Sequence, residues 1–75
     1  MDLLQTMKVF LAVVDEGGFT AAARRMDMSV PNVTRLVASL ESHLGARLLQ
    51  RTTRSVSLTP AGSKYAARAR EITES

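Results

Sequence analysis

Apolar residues near the start of the chain recur with the 3.6-residue period of an α-helix. Five of them fall on one face of such a helix, namely Leu3, Met7, Phe10, Leu11 and Val14. We therefore predict a first helix over residues 2–16, with Asp2 at its N-cap and a glycine pair directly after its end. Leu4, Val9 and Val13 extend the apolar surface beyond that face. This predicts packing against more than one neighbour, either within the chain or in a second subunit.

Residues 20–44 are predicted to form two helices joined by a tight turn, and the rest of the chain is organised around this pair. The first of the two is short, over about 20–26, with Phe19 just before it as an apolar anchor. Its alanines have little bulk, which allows another helix to cross it at close range. Asp27 is expected in the turn, because aspartate tolerates a left-handed backbone better than most residues.

The second helix of the pair begins at Ser29 or Val30, with Ser29 as its cap, and ends near Leu44. Its apolar positions cluster on one side, at Val33, Leu36, Val37, Leu40 and Leu44. Opposite them lie small, polar or cationic residues, namely Pro31, Arg35, Ala38 and Ser42. This arrangement is typical of a helix that packs by one side and leaves the other side free for a ligand.

Two short stretches of strand-like composition follow, at 47–51 and 56–58, with a polar turn between them. A lone hairpin is unstable, so we expect it to lie against the helices. Thr59 and Pro60 then open a fourth helix. Its apolar stripe is thin and consists of Ala61, Tyr65, Ala69 and Ile72. This helix has no stop signal, and we expect the chain to be a piece of a longer protein.

The net charge of +3 is distributed unevenly along the chain. Between residues 24 and 70 the only acidic residues are Asp27 and Glu41. The same stretch has nine basic residues, namely Arg24, Arg25, Arg35, Arg47, Arg51, Arg54, Lys64, Arg68 and Arg70. This asymmetry indicates a polyanionic partner, and a solvated cationic surface is the alternative that composition leaves open.

The composition offers little for catalysis or metal binding. The chain has no cysteine and a single histidine, His43. This histidine is near the end of the third helix, where the helix dipole favours a cation, so we expect it to have a structural role. The chain's seven carboxylates are scattered, and there is no glycine-rich phosphate loop. We therefore predict no catalytic residue, no metal site and no cofactor, and a protein that is not an enzyme. No apolar run is long enough to span a bilayer, and the acidic start at Asp2 does not fit a secretory signal, so we expect no membrane partner.

The outward side of the predicted third helix suits the major groove of DNA, which admits a helix that carries no bulky side chains in the way. Arg35 can reach guanine O6 and N7 or a phosphate, and Thr34 offers a hydroxyl and a methyl group. An ordinary solvated face is the alternative. Such faces usually carry Glu and Lys, whereas the segment from 29 to 47 has one Glu and no Lys. We therefore favour contact with DNA.

Arg51 and Arg54 lie at the edges of the polar turn in the predicted hairpin. Cations at such a tip are expected to contact the DNA backbone or the minor groove, in a way that does not depend strongly on sequence. A solvated hairpin tip is the alternative for these two residues.

Four segments carry a resemblance to a known family: FTAAARR at 19–25, PNVTR at 31–35, LESHLGARLLQR at 40–51 and LTPAG at 58–62. With them the whole chain resembles the N-terminal winged helix-turn-helix domain of LysR-type transcriptional regulators. The resemblance implies a mainly α fold with a three-helix core, a two-stranded wing and a long C-terminal linker helix. It assigns 1–59 to the DNA-binding domain, with the helix-turn-helix at about 19–38 and the wing at about 47–58, and 60–75 to the linker and dimerisation helix.

The resemblance further implies a bacterial regulator that binds double-stranded DNA sequence-specifically in the cytoplasm, associated with the nucleoid. It implies a homodimer through the C-terminal helix on an interrupted palindromic operator, often a tetramer at full length, and a small-molecule effector bound by a further C-terminal domain. By position, the residues expected to face DNA are Thr20, Ser29, Val30, Pro31, Asn32, Thr34, Arg35, Arg51, Thr52, Thr53 and Arg54. Those expected at the dimer interface are Leu4, Tyr65, Ala69 and Ile72.

Two positions depart from the family's pattern. Val30 stands where the family commonly has a glutamine that can contact a base, and a valine can at most meet a thymine methyl group. Asp27 replaces a common turn glycine or similar residue. A winged-helix module that binds a protein partner, with no DNA activity, is the alternative function, and the cationic outward face of the third helix disfavours it.

Overall fold

The computed structural model describes residues 2–52 and 55–74 of the chain. Within these residues it contains helices and one antiparallel pair of strands, in the order α1 (Leu3–Glu16), α2 (Phe19–Met26), α3 (Val30–Leu44), β1 (Leu49–Arg51), β2 (Val56–Leu58) and α4 (Pro60–Glu74). The mainly α, winged helix-turn-helix architecture predicted from the sequence is confirmed.

The ends of the helices follow the local chemistry of the sequence. The Asp2 side chain accepts a hydrogen bond from the Gln5 backbone N–H at 3.1 Å and so caps α1. Asp27, with φ of 56°, has the left-handed conformation predicted for the turn between α2 and α3. Phe19 is the first residue of α2, with Gly18 at the N-cap, and does not precede the helix as predicted.

The core is built around α1, which contacts α2, α3, α4 and β2. Val9, Phe10 and Val13 are fully buried, so the prediction that α1 packs against more than one neighbour is confirmed. Leu3 was predicted on the packed face of α1, and this prediction is wrong. Leu3 is 38% exposed because it lies in the first turn, before the buried stretch begins at Thr6.

The first strand of the wing begins at Leu49, two residues later than predicted. The carbonyls of Arg47 and Leu48 accept hydrogen bonds from Thr59, directly before α4, and not from β2. Thr59 donates to both of them, from its hydroxyl to the Arg47 carbonyl at 2.6 Å and from its N–H to the Leu48 carbonyl at 3.0 Å. The Glu41 carboxylate accepts from the N–H of Leu48 at 2.7 Å and of Leu49 at 3.3 Å. These bonds fix the wing against α3 and α4.

Helix α4 packs on the core through Gly62, Ala66 and Ala69. The apolar stripe predicted on α4 does not coincide with this buried face. Part of the stripe lies on the buried face and part of it is exposed to solvent. Ala69 is fully buried within its own chain and is not available to a partner, whereas Ile72 is 51% exposed. Tyr65 is half-buried and packs edge-on against Phe10, with ring centroids 5.8 Å apart.

An ion pair ties α4 to α1. The Arg70 guanidinium donates to both carboxylate oxygens of Asp15, at 2.6 Å and 3.3 Å. The hydrogen bond and the positive charge of Arg70 hold the pKa of the Asp15 carboxyl below its ordinary value. The same pair raises the pKa of Arg70, so both groups stay charged near neutral pH.

Gly62 is required where α4 meets the wing, because a Cβ at this position would overlap the Leu48 carbonyl oxygen. Gly62→Ala is therefore expected to lower the free energy of unfolding by about 1–3 kcal/mol, measured by urea denaturation. Gly18→Ala is the matched control, since no atom lies within 4 Å of its added Cβ and its φ is extended. Equal stability of the two variants would contradict the close approach.

Candidate nucleic-acid interface

The two sides of α3 differ as the sequence predicted. Val33, Val37 and Leu40 are fully buried against the core. The opposite side is solvent-exposed and consists of Pro31, Asn32, Arg35, Ala38 and Ser42. Leu44, predicted on the packed side, is 40% exposed, because it is the last residue of the helix. The outward side has one long side chain, that of Arg35, among small and short polar ones.

A chain of hydrogen bonds organises the first turn of α3. The Ser29 hydroxyl oxygen accepts from the Asn32 backbone N–H at 3.2 Å, which caps the helix. The Asn32 side-chain oxygen Oδ1 in turn accepts from Nη2 of Arg35 at 2.9 Å. The structure thus brings three of the residues predicted to face DNA into one connected group.

The flanking positions predicted to face DNA are also accessible. Val30 is 38% exposed at the first position of α3, and Thr34 is half-buried on its shoulder. Thr20 is exposed in the first turn of α2. The hydroxyls and methyl groups of these side chains can therefore meet a ligand that approaches along α3.

The wing contacts the helix-turn-helix through a cation–π pair. The guanidinium carbon of Arg51, at the end of β1, lies 4.4 Å from the centroid of the Phe19 ring, at the start of α2. Arg51 remains exposed in this position. The ring restricts the guanidinium without cancelling its charge, because the attraction is between the cation and the electron-rich face of the ring.

The tip of the wing is only partly described. Thr52 is exposed, and its hydroxyl accepts from the Ser55 backbone N–H at 3.0 Å. Thr53 and Arg54 lie outside the described residues, so their predicted contacts with DNA stay predictions.

Several other arginines are neutralised by neighbouring carboxylates. Arg25 pairs with Glu16 at 3.2 Å, Arg47 with Glu41 at 3.6 Å, and Arg70 with Asp15. Within residues 2–52 and 55–74, no ion pair involves Arg35 or Arg51. Among the described residues of α3 and the wing, Arg35 and Arg51 therefore face solvent with their positive charges uncompensated.

Two residues matter for the interface that the sequence did not single out for it. Phe19 was predicted as an apolar anchor, and no sequence pattern pairs it with Arg51. Glu41 has no sequence pattern that assigns it a role, although its side chain is 11% exposed and holds the strand that presents Arg51. The sequence offers one indication of this role, which is that Glu41 is the single acidic residue between 29 and 47.

The described part of the chain contains no group of three or more His, Cys, Asp or Glu side chains that could hold a metal ion. Among the same residues, no helix has the length and apolar character needed to cross a membrane.

Curated relatives of this chain are transcription regulators. The chain is 49% identical over 65 residues to the HTH-type transcriptional activator AaeR of Escherichia coli K12, which covers 87% of this chain and 21% of the relative. It is 51% identical over 65 residues to an HTH-type transcriptional repressor of Pseudomonas aeruginosa, over 87% of this chain and 20% of the relative. The chain thus spans about a fifth of the length of these relatives.

Solved structures agree closely with the fold. The DNA-binding domain of CbnR, crystallised with DNA, is 41% identical, with a TM-score of 0.91 over 95% of this chain and 82% of that chain. The DNA-binding domain of BenM, in a complex with catB site 1 DNA, is 35% identical, with a TM-score of 0.91 over 95% and 80%. A profile described as "Bacterial regulatory helix-turn-helix protein, lysR family" matches residues 4–63, so this chain belongs to the lysR family of bacterial regulatory helix-turn-helix proteins.

Proposed function

We propose that this chain binds double-stranded DNA sequence-specifically, with α3 in the major groove and the wing on the backbone or in the minor groove. The observation that carries the proposal is the outward face of α3, which is slim and presents the uncompensated charge of Arg35. It is supported by the complexes that CbnR and BenM DNA-binding domains form with DNA.

The shape of α3 fits the proposed position. A major groove about 12 Å wide admits one helix, provided that the exposed side chains are small. Pro31, Ala38 and Ser42 leave the helix axis free to approach the base edges, while Arg35 is long enough to reach guanine O6 and N7. Val30 can meet a thymine methyl group at the exposed start of the helix.

The wing is proposed to contribute affinity more than sequence preference. Arg51 and Thr52 are exposed, and the ring of Phe19 holds the Arg51 guanidinium beside the start of α2. A cation in this position is suited to a phosphate, and phosphate contacts position a protein on DNA without distinguishing bases. Thr53 and Arg54 are proposed to extend this contact.

A homodimer through α4 is proposed to set two copies of α3 on successive major grooves of an interrupted palindrome. Leu4 and Ile72 are exposed apolar residues, at 46% and 51%, on α1 and α4. With Ala69 buried in its own chain, the proposed interface consists of Leu4, Ile72 and the accessible edge of Tyr65. A tetramer and a small-molecule effector of the whole protein, and a place in the cytoplasm on the nucleoid, are proposed from the family resemblance.

Arg35→Ala tests the proposed position of α3. On duplexes selected by the purified chain from a random pool, binding is expected to weaken by about 1–3 kcal/mol if Arg35 contacts a base. Binding to random duplexes is expected to weaken less, because random sites seldom provide that base. Mobility shifts on both kinds of DNA measure the ratio of the affinity for selected duplexes to the affinity for random duplexes. An equal loss of affinity on both kinds of DNA would show that Arg35 contacts a phosphate. Unchanged binding to both would contradict the proposed position of α3 in the major groove.

Arg51→Ala tests the wing. Affinity is expected to fall for all sequences, and the slope of log affinity against log salt is expected to shrink by about one unit for a lost phosphate contact. The matched control is Arg25→Ala, which removes an arginine already paired with Glu16 and is expected to leave the slope unchanged. Equal slopes for the wild type and the Arg51 variant would contradict a phosphate contact by Arg51.

Ile72→Asp tests the proposed dimer. A carboxylate placed in an apolar contact is expected to shift the sedimentation of the chain toward monomer and to weaken specific binding far more than non-specific binding. Ile72→Val is the matched control, since it keeps an apolar side chain at the same exposed position and is expected to leave the sedimentation unchanged. A wild-type chain that sediments as a monomer at high micromolar concentration and still binds a palindrome tightly would contradict the dimer.

A further inference from the structure

We propose that Asn32 is a positioning residue, which orients the guanidinium of Arg35 for contact with a base and does not itself distinguish bases. This inference rests on the proposed function, because it assigns a role to the partner of Arg35 on the same face. It rests on the hydrogen bond between the two side chains, from Nη2 of Arg35 to Oδ1 of Asn32 at 2.9 Å.

Asn32 is itself held in place by the cap of α3. Its backbone N–H donates to the Ser29 hydroxyl oxygen at 3.2 Å, and Pro31 restricts the backbone directly before it. Asn32 lies three residues before Arg35, so the two side chains project from neighbouring positions on one face. The acceptor that meets the guanidinium is therefore attached to a turn that is capped by Ser29 and restricted by Pro31.

The bond restricts a side chain that is otherwise free to rotate. Both residues are exposed, and no ion pair involves Arg35 within the described residues. Without Asn32, the arginine would lose more rotamer freedom on binding DNA, and that loss would oppose the contact. An arginine that is already held near its bound geometry therefore binds more tightly to a site whose acceptors match its donors, such as O6 and N7 of guanine.

The neutral amide of Asn32 suits this role better than a carboxylate would. An aspartate could hold the guanidinium more strongly, but it would cancel the charge of Arg35 and add an anion that faces the phosphates. The asparagine oxygen engages one N–H of the guanidinium and leaves its charge and its other donors for DNA.

A double-mutant cycle with Asn32→Ala and Arg35→Ala in this chain tests the inference, with dissociation constants measured on the selected duplex and on random duplexes. Asn32→Ala is expected to weaken specific binding by about three- to tenfold and random binding by less than about twofold. In the Arg35→Ala background, Asn32→Ala is expected to change specific binding by less than about twofold. Both variants are expected to fold, because alanine favours the helix more than asparagine does.

The outcomes separate this inference from the proposed function. If Arg35→Ala leaves binding unchanged, the proposed position of α3 fails and the role of Asn32 fails with it. If Arg35→Ala weakens specific binding but Asn32→Ala costs the same factor in both backgrounds, Asn32 contacts DNA independently and only the positioning role is overturned. An unchanged affinity for Asn32→Ala in the wild-type background would overturn it as well.

Asn32→Asp provides a second readout that a merely structural role would not change. The variant keeps an acceptor for Arg35 and adds a negative charge. It is expected to lower affinity on all DNA and to reduce the salt slope, while it keeps more of the ratio between specific and random binding than Asn32→Ala does. A ratio as low as that of Asn32→Ala would contradict the acceptor role.

Discussion

The burial of the middle of α1 is the constraint on which the rest of the structure depends. Val9, Phe10 and Val13 are fully buried, and the three helices that follow α1 in the sequence all pack against it. A chain of 75 residues can build only one small core, so the other helices turn their small or apolar sides toward α1. The edge contact of Tyr65 with Phe10 and the burial of Ala69 put α4 on the same core.

This constraint determines where the charges can go. Arg25, Arg47 and Arg70 lie between elements and pair with carboxylates, which ties those elements together and places a compensating negative charge beside each arginine. Arg35 and Arg51 are instead held by neutral groups, an amide oxygen and an aromatic ring, which restrict their motion and leave their charge intact. The charges of Arg35 and Arg51 are therefore available to the polyanionic partner that we propose.

Local features were predictable, and features that depend on distant neighbours were not. The cap at Ser29 and the outward position of Arg35 follow from residues within one or two turns, so the sequence was sufficient for them. Ala69 was assigned to a partner, because a thin stripe on α4 does not show which edge of it faces the core. The contact of Arg51 with Phe19 joins segments far apart in the chain, and its geometry exists only after the wing has packed.

In the proposed complex, α3 contacts base edges in the major groove through Arg35. Dimethyl sulfate methylates guanine N7, which is exposed in that groove, so protection from methylation on a selected duplex tests the claim most directly. Guanines in each half-site are expected to be protected by the wild-type chain, and Arg35→Ala is expected to lose that protection at concentrations that saturate the DNA. Tight specific binding without protection of any guanine N7, or protection that persists in the variant, would contradict this contact.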